Sequence, residues 1–357
     1  MLGPSRFLYR DSQGSILILA VWVLSVLGIF SLSIGYQVRQ KVALAQRLDL
    51  RNLLYGIAEV GIYRGLILVK EPDPSPNLAW LGDPWSSNEK EFKDISIGEG
   101  SYSVAYEYDD AKNSSESIRK TRYGLQDEES KINLNSAHPE VLSRLFQAAS
   151  GSDREKAAQI AHSIVDWRDS DSFQSDPSYG AEDDYYNNLD PPYEAKNAPF
   201  EVLQELLLVR GVDPEIFERV EDQITIYGEG KVNINTASKE VLIALGLDEK
   251  TAEAILVYRA GIDRESGTED DRAFSSPGAA ANDLAKVSSL GAAEGASLTN
   301  LVAAGLLTTA SNHFRIQSIA QARGYRMILT AVVNREGKIL FWHTTKPQHL
   351  RNATPPS

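Results

Sequence analysis

The feature that most constrains this chain is an uncharged apolar segment near the N-terminus, residues 14–38, which ends before Arg39. A segment of this length crosses a bilayer as one helix, because lipid offers no partners to backbone N–H and C=O groups and a helix pairs them internally. A secretory signal peptide has a shorter apolar region that stops at a small-residue cleavage site. The segment therefore predicts a transmembrane helix over residues 15–38.

The helical pattern continues beyond the apolar segment. Leu50, Leu53 and Ile57 belong to an apolar stripe at helical spacing, and no proline occurs before Pro72. We predict one helix over residues 15–70, which at about 1.5 Å per residue is about 80 Å long. Because a bilayer needs much less than that, the second half of the helix must lie outside the membrane and pack on another part of the chain.

The composition excludes several classes of function. The chain has 357 residues, a formal net charge of -13 and no cysteine. The acidic charge disfavours binding to nucleic acid, since phosphates would be repelled. Disulfides, thiolate zinc sites and cysteine nucleophiles are impossible. None of the five histidines stands in a metal or nucleophile motif, and carboxylate pairs are common in an acidic chain, so the sequence does not predict an enzyme.

Strand patterns occur in two separate parts of the chain. Apolar and polar residues alternate over residues 92–97 and 101–108, and again over 314–320, 325–333 and 338–343. A long helix followed by two distant sets of strands predicts one α+β domain whose sheet packs on the helix, with the middle of the chain as an insertion. The Ala-, Ser- and Gly-rich residues 273–296 are predicted as a loop.

The middle of the chain contains an internal repeat. KINLNSAHPEVLSRLF, from Lys131, and KVNINTASKEVLIALGL, from Lys231, share Lys, two Asn, Ala and Glu-Val-Leu at the same offsets. Ser136 and Thr236 are predicted as helix N-caps. Together with the helix–turn–helix pattern PFEVLQELLLVRGVDPEIFERV, these units resemble helix-hairpin-helix modules.

Such modules often bind DNA phosphates through a glycine-rich hairpin, so a membrane-anchored DNA-binding or DNA-uptake protein is the alternative function. The hairpins here are RGVDPE and LGLDEK, and both have carboxylates where a phosphate would approach the backbone amides. This charge favours a protein-packing role for the repeats.

The densest group of carboxylates lies in residues 166–200. Repulsion among them is costly unless a cation neutralises it, and a hard divalent cation takes six to eight oxygen ligands. The spacing does not match an EF-hand, and a solvated acidic loop is the alternative. The aromatic residues of the segment argue against that alternative, because disordered acidic segments contain few of them. The candidate ligands are Asp169 and Asp171 as one group, and Glu182, Asp183 and Asp184 as another.

The N-terminus resembles that of type IV pilins and pseudopilins. A short basic leader ends in Gly14, and an apolar helix follows that continues as an amphipathic one. The resemblance implies that prepilin peptidase cleaves between Gly14 and Ser15; a signal anchor that keeps its leader is the alternative. Most pilins have Glu as the fifth mature residue, where this chain has Leu19. The general secretion pathway protein K family, minor pseudopilins of type II secretion systems, is known for lacking that Glu.

The acidic segment resembles the same family. The shared pattern is Asp-Trp-x-Asp, Gly-Ala-Glu-Asp-Asp-Tyr-Tyr, Pro-Pro-Tyr, Asn-x-Pro-Phe, Glu-Leu and Val-Arg-Gly, which here occupies residues 166–169, 180–186, 191–193, 197–200, 205–206 and 209–211. In that family a helical domain inserted in the pilin-like fold binds calcium through acidic residues of this region. The resemblance implies one or two calcium ions on the five carboxylates named above.

The resemblance also implies the fold and its segments. We expect an α+β, type IV pilin-like fold, with a long N-terminal helix packed on an antiparallel sheet and a large inserted all-α domain that contains the helix-hairpin-helix-like repeats. The expected segments are a leader (1–14), the transmembrane part of the helix (15–38), the first part of the pilin-like domain (39–130), the inserted α-helical domain (131–310), the C-terminal strands of the pilin-like domain (311–345) and a disordered tail (346–357).

The function implied is that of a minor pseudopilin, which caps or initiates the periplasmic pseudopilus that exports folded proteins across the outer membrane. The expected partners are other minor pseudopilins and prepilin peptidase, with a single pass through the inner membrane, a cytoplasmic N-terminus and the bulk of the chain in the periplasm. Leu19 fits a position at the fibre tip. The pilin Glu pairs with the N-terminal amine of the subunit above, and a tip subunit has none above it.

Overall fold

The structure is a computed structural model, and it describes residues 13–71, 75, 77–110, 118–287 and 292–350. Residues 1–12 of the expected leader and residues 351–357 of the expected tail lie outside the described residues. The chain divides after Leu54 into two compact units.

A helix of 58 residues, α1 (Gln13–Lys70), opens the described chain and runs through this division. It begins two residues before the predicted start and ends at the predicted residue. In the first unit its large apolar side chains are exposed, including Leu19, Trp22 and Phe30 at 62%, 65% and 62%. By length and composition this helix qualifies as a membrane span. An apolar surface on all sides suits a lipid environment.

The second unit contains the other elements. After α1 come α2 (Glu89–Phe92), β1 (Ile95–Ile97), β2 (Gly100–Asp110), β3 (Ile118–Tyr123), β4 (Gln126–Asp127), β5 (Ile132–Asn133), α3 (Pro139–Ser150), α4 (Arg154–Arg168) and α5 (Asp183–Tyr186). Next are α6 (Pro214–Val220), β6 (Ile224–Thr225), β7 (Val232–Asn233), α7 (Lys239–Ala244), α8 (Glu249–Arg259), α9 (Pro277–Val287) and α10 (Ala292–Ala303). The last elements are β8 (Leu307–Thr308), β9 (His313–Ala322), β10 (Tyr325–Asn334), β11 (Ile339–Thr344) and β12 (Gln348–His349). Glu128–Ser130, Leu203–Leu208 and Glu221–Gln223 form short 3₁₀ helices.

One antiparallel sheet joins the two distant sets of strands. Its order is β1-β2-β9-β10-β11, with β3 paired to β2, β4 to β9 and β12 to β10. The two sets meet where β2 pairs with β9, from Gly100 opposite Ala322 to Val104 opposite Ser318. The predicted antiparallel sheet is therefore confirmed. Phe92 was wrongly predicted as strand: it is the last residue of α2, and its side chain is fully buried.

The last turns of α1 pack on this sheet at two glycines. A Cβ atom at Gly61 would lie 2.2 Å from Ser318 Oγ, and one at Gly65 would lie 3.0 Å from Ile316 Cδ1. Glycine inside a helix has a conformational cost, and here it allows the helix to approach β9 closely. Ile62, between them, is fully buried. The predicted packing of the long helix on the sheet is confirmed.

The internal repeat folds into two similar helical units. The first consists of β5, α3 and α4, and β5 pairs in parallel with β6, placing Ile132 opposite Ile224. The second consists of β7, α7 and α8, and β7 pairs in parallel with β8, placing Val232 opposite Leu307. A single buried apolar core runs through both units.

An asparagine at the same position of each unit binds the backbone of a distant phenylalanine. Asn135 accepts a hydrogen bond from Phe200 N (2.7 Å) and donates one to Phe200 O (3.0 Å). Asn235 makes the same pair of bonds with Phe274, at 2.8 and 3.1 Å. The repeated asparagines therefore hold one long connection in each unit.

Replacing Asn235 by Ala should destabilise the protein by about 2–3 kcal/mol, because the N–H and C=O of Phe274 would be left buried without partners. The measurement is the free energy of unfolding from urea titration. Asn300, an exposed residue of α10, provides the control: Asn300→Ala should change that free energy by no more than about 0.5 kcal/mol. An equal loss in both variants would contradict the role assigned to Asn235.

Three local predictions were wrong: the N-caps of the repeat, the loop over residues 273–296 and part of the disordered tail. The N-caps are His138 and Ser238, two residues after the predicted Ser136 and Thr236. Residues 273–296 are not one loop, since α9 and the start of α10 lie there with the side chains of Ala280 and Leu284 buried. Alanine favours helix and fits close packing. Within the expected tail, Gln348 and His349 form β12.

Candidate metal site

The first part of the acidic segment is the loop of residues 169–182, which connects α4 to α5. Aromatic rings of the segment cluster beside it. Tyr186, in α5, is fully buried, and its ring centroid lies 5.3 Å from that of Trp167 and 5.2 Å from that of Tyr193. Asp183 Oδ1 also accepts a hydrogen bond from Ala195 N at 2.8 Å. These contacts hold the segment against the helical core, as its aromatic content predicts.

Three of the five predicted ligands come together. One carboxylate oxygen from each of Asp169, Asp171 and Glu182 lies within 4.8 Å of the other two. Asp169 follows the last residue of α4, and Glu182 is the N-cap of α5. The fold therefore brings the two ends of the loop between α4 and α5 next to each other. We call these three residues the carboxylate cluster.

The cluster contains buried oxygens without hydrogen-bond partners among the described residues. Both carboxylate oxygens of Glu182, which is 4% exposed, and Oδ1 of Asp169 are in this state. Burial, followed by the negative charges of Asp166 and Asp169, raises the pKa of Glu182 to about 7. Burial and neighbouring carboxylates also raise the pKa of Asp169. Such groups are costly to bury unless a cation or a proton compensates them.

The other two predicted ligands lie outside the cluster. Asp183 uses Oδ1 on the backbone of Ala195, and Asp184 is an exposed residue in the first turn of α5. A direct role for either in holding a cation stays a prediction.

Asp166 is a site residue that the sequence does not distinguish from its acidic neighbours. It is fully buried in the last turns of α4, and its two oxygens accept hydrogen bonds from Ser175 N and Ala181 N, both at 2.7 Å. The Asp-Trp-x-Asp pattern contains Asp166 but does not indicate that its side chain binds backbone amides instead of a cation. Its partners are 9 and 15 residues away along the chain.

Comparison with known proteins finds one family that is similar to this chain. Residues 122–229, which include the whole carboxylate cluster, match the family model described as type II secretion system protein K. The chain is 29% identical over 209 residues to type II secretion system protein K of Aeromonas hydrophila and 26% identical over 203 residues to that of Pectobacterium carotovorum subsp. carotovorum. Residues 122–229 therefore resemble the type II secretion system protein K family. The matches cover 51% and 55% of this chain, and the chain spans 55% and 59% of the lengths of these relatives.

A solved member of a protein K complex has the same fold. A chain in the crystal structure of the GspK–GspI–GspJ complex from the enterotoxigenic Escherichia coli type 2 secretion system matches with a TM-score of 0.59 and 18% identity. The match covers 87% of this chain and 99% of the other. The mixed α+β class expected from the sequence is therefore confirmed.

In this chain, the carboxylates of the two hairpins cap helices. Asp213 accepts a hydrogen bond from Ile216 N at 2.8 Å, at the start of α6, and Asp248 accepts one from Thr251 N at 3.0 Å, at the start of α8. At either helix start, a backbone amide that could bind a phosphate already donates to a carboxylate, and that carboxylate would repel the phosphate. The element before the first hairpin is a 3₁₀ helix rather than an α-helix.

Proposed function

We propose that this chain is a minor pseudopilin of a type II secretion system, and that it caps or initiates the periplasmic pseudopilus. The observation that carries the proposal is α1. Within the first unit, α1 presents apolar side chains outward over the length of a membrane span. The last turns of α1, in the second unit, pack on the sheet through Gly61 and Gly65. One helix thus serves as a membrane anchor and as part of a folded domain, which is what a subunit transferred from a membrane to a fibre requires.

The proposed partners are two other minor pseudopilins. The solved complex is described as one of GspK with GspI and GspJ. By that likeness this chain would join two subunits of the corresponding kinds at the fibre tip. Leu19, at 62% exposure, supports the tip position, because an unpaired carboxylate at that place would be costly in lipid. Its role is assembly, with no catalytic step.

The proposed location is the inner membrane, with one span, a cytoplasmic N-terminus and a periplasmic folded part. The mass of the mature N-terminus tests this together with the function. We expect loss of residues 1–14 by cleavage between Gly14 and Ser15, with the apolar segment retained. A Gly14→Leu variant, which removes the small residue at the cleavage point, should keep the leader. An uncut parent chain, or loss of the apolar segment, would contradict the pseudopilin assignment.

We also propose that the carboxylate cluster binds a divalent cation, and that this cation is calcium. The fit rests on donor chemistry. The candidate ligands are all carboxylates, and three of their oxygens are buried with no hydrogen-bond partner in the described part of the chain. Calcium prefers such oxygens and accepts irregular geometry. When bound, calcium would supply the positive charge that compensates the buried carboxylates of Glu182 and Asp169. Asp169, Asp171 and Glu182 would hold it and thereby tie the end of α4 to the start of α5.

A further inference from the structure

A single peptide group next to the carboxylate cluster is held from both sides by charged side chains. The N–H of Ala181 donates to Asp166 Oδ2 at 2.7 Å, and the C=O of Gly180, in the same peptide group, accepts from Arg210 Nη1 at 3.0 Å. Both hydrogen bonds involve an ionised partner, which makes each stronger than a neutral one. Because they act on one peptide dipole in series, each also strengthens the other.

The anionic side of this arrangement is tightly constrained. Asp166 is fully buried, and its other oxygen accepts from Ser175 N at 2.7 Å. A Cβ atom on Gly180 would lie 2.3 Å from Asp166 Oδ2, so no side chain fits there unless the peptide moves. Asp166 therefore holds both the middle of the loop between α4 and α5, at Ser175, and the residue that precedes Glu182.

The cationic side comes from a different part of the fold. Arg210 follows the 3₁₀ helix Leu203–Leu208, and its guanidinium lies 4.7 Å from the ring centroid of Tyr185. Its backbone N–H donates to the hydroxyl of Tyr186 at 3.3 Å. The arginine is thus oriented by α5, the helix that begins immediately after Glu182.

We propose that Asp166 and Arg210 are positioning residues for the cation site. They fix the peptide group between Gly180 and Ala181, and this places Glu182 opposite Asp169 whether or not a cation is present. Neither residue belongs to the carboxylate cluster, so both act through the backbone. This inference rests on the proposed cation site.

Cation affinity of the full-length chain in detergent tests the proposal, measured by calorimetric titration with CaCl₂ below the unfolding temperature. Asp166→Asn keeps the size of the side chain but turns an NH₂ group towards one of the two amides. Arg210→Met keeps the stem over Tyr185 but removes the donor to Gly180. Each variant should weaken calcium binding by about 10- to 100-fold, the usual effect of residues that orient metal ligands.

The sign of the effect at Arg210 separates positioning from charge. Removing a cation near the cluster would by itself strengthen calcium binding, whereas loss of the clamp weakens it. Asp176→Asn is the matched control, because among the described residues the carboxylate of Asp176 accepts hydrogen bonds from the amides of Ser178 and Tyr179 alone, within the same segment. This control should bind calcium within about twofold of the parent, since outer residues that orient no ligand have little effect on affinity.

Two results would overturn the inference. If the parent binds calcium and Arg210→Met binds it equally well or more tightly, the positioning role is wrong and the cation site stands. If the parent binds no calcium at all, the cation site is wrong and the positioning role falls with it. Amide hydrogen exchange at Ala181 gives a reading without calcium: exchange should accelerate in Asp166→Asn and stay unchanged in Asp176→Asn.

Discussion

Saturating calcium should raise the thermal unfolding midpoint of the full-length chain, and Glu182→Gln should abolish the increase. A ligand that binds only the folded state at 100 times its Kd adds about 2.7 kcal/mol of stability. Glu182 is the decisive residue, because both of its buried oxygens lack partners among the described residues. Differential scanning calorimetry with and without CaCl₂ is the measurement.

The structure provides a matched control for this experiment. Asp184, two residues from Glu182, is exposed and lies outside the carboxylate cluster. Asp184→Asn removes the same charge as Glu182→Gln and should keep the calcium-induced increase. If Asp184→Asn abolished the increase, the two-group ligand set expected from the sequence would be right and the three-residue cluster would be incomplete. An unchanged midpoint in the parent would refute the cation site.

The same site should make stability depend on pH. The pKa of Glu182 is about 7 in the folded chain against an ordinary value of 4.5, so between these pH values the folded state binds more protons than the unfolded one. The calcium-free protein should therefore lose stability as pH rises through this window. Calcium must displace that proton, so its affinity should fall as pH falls below about 7.

Glu128→Gln should destabilise the protein by about 3–5 kcal/mol, because it leaves two cations without their shared anion in the interior. Glu128 is fully buried, and Oε1 accepts from Lys131 Nζ at 3.0 Å and from Arg315 Nε at 2.7 Å. Thr225 donates to the other oxygen. These groups join the sheet, through β9, to the first helical unit, through β5 and β6. Urea denaturation at neutral pH measures the effect.

A surface pair in the same part of the chain is the control for this prediction. Glu229 lies 3.2 Å from Lys231, with side-chain exposures of 84% and 50%. Glu229→Gln should cost no more than about 1 kcal/mol, as exposed ion pairs do. A similar small loss in Glu128→Gln would show that the buried cluster contributes little.

The pH dependence of this cluster runs in the opposite direction to that of Glu182. Burial disfavours the charged form of Glu128, but Arg315 and Lys131 outweigh it and lower its pKa to about 2. The stability it contributes is present above its ordinary pKa of 4.5 and is lost as pH falls towards 2. Acid unfolding of the parent should therefore be steep in this range, and that of Glu128→Gln should be flatter.

Elements set by local periodicity were predictable. The end of α1 at Lys70, the strands β9 and β10 and the hundred-residue offset of the repeat follow from the order of apolar and polar residues alone. The helix starts in the repeat were not. Asn133 binds the backbone amide of Asn135 with its side chain, and Ser136 N bonds to Asn133 O, so a turn occupies the positions predicted as caps.

The sequence by itself determined that the chain has a membrane-length apolar helix, an α+β domain and an acidic segment rich enough in carboxylates to attract a cation. These properties depend on residue type and spacing, which the chain carries whatever its fold. Only the tertiary structure decided which carboxylates converge. Asp169 and Glu182 are 13 positions apart, and Asp166 and Arg210 are linked through the peptide group of Gly180 and Ala181. Such contacts arise from how α4, α5 and the hairpin pack, because ligand geometry depends on distances in space and not along the chain.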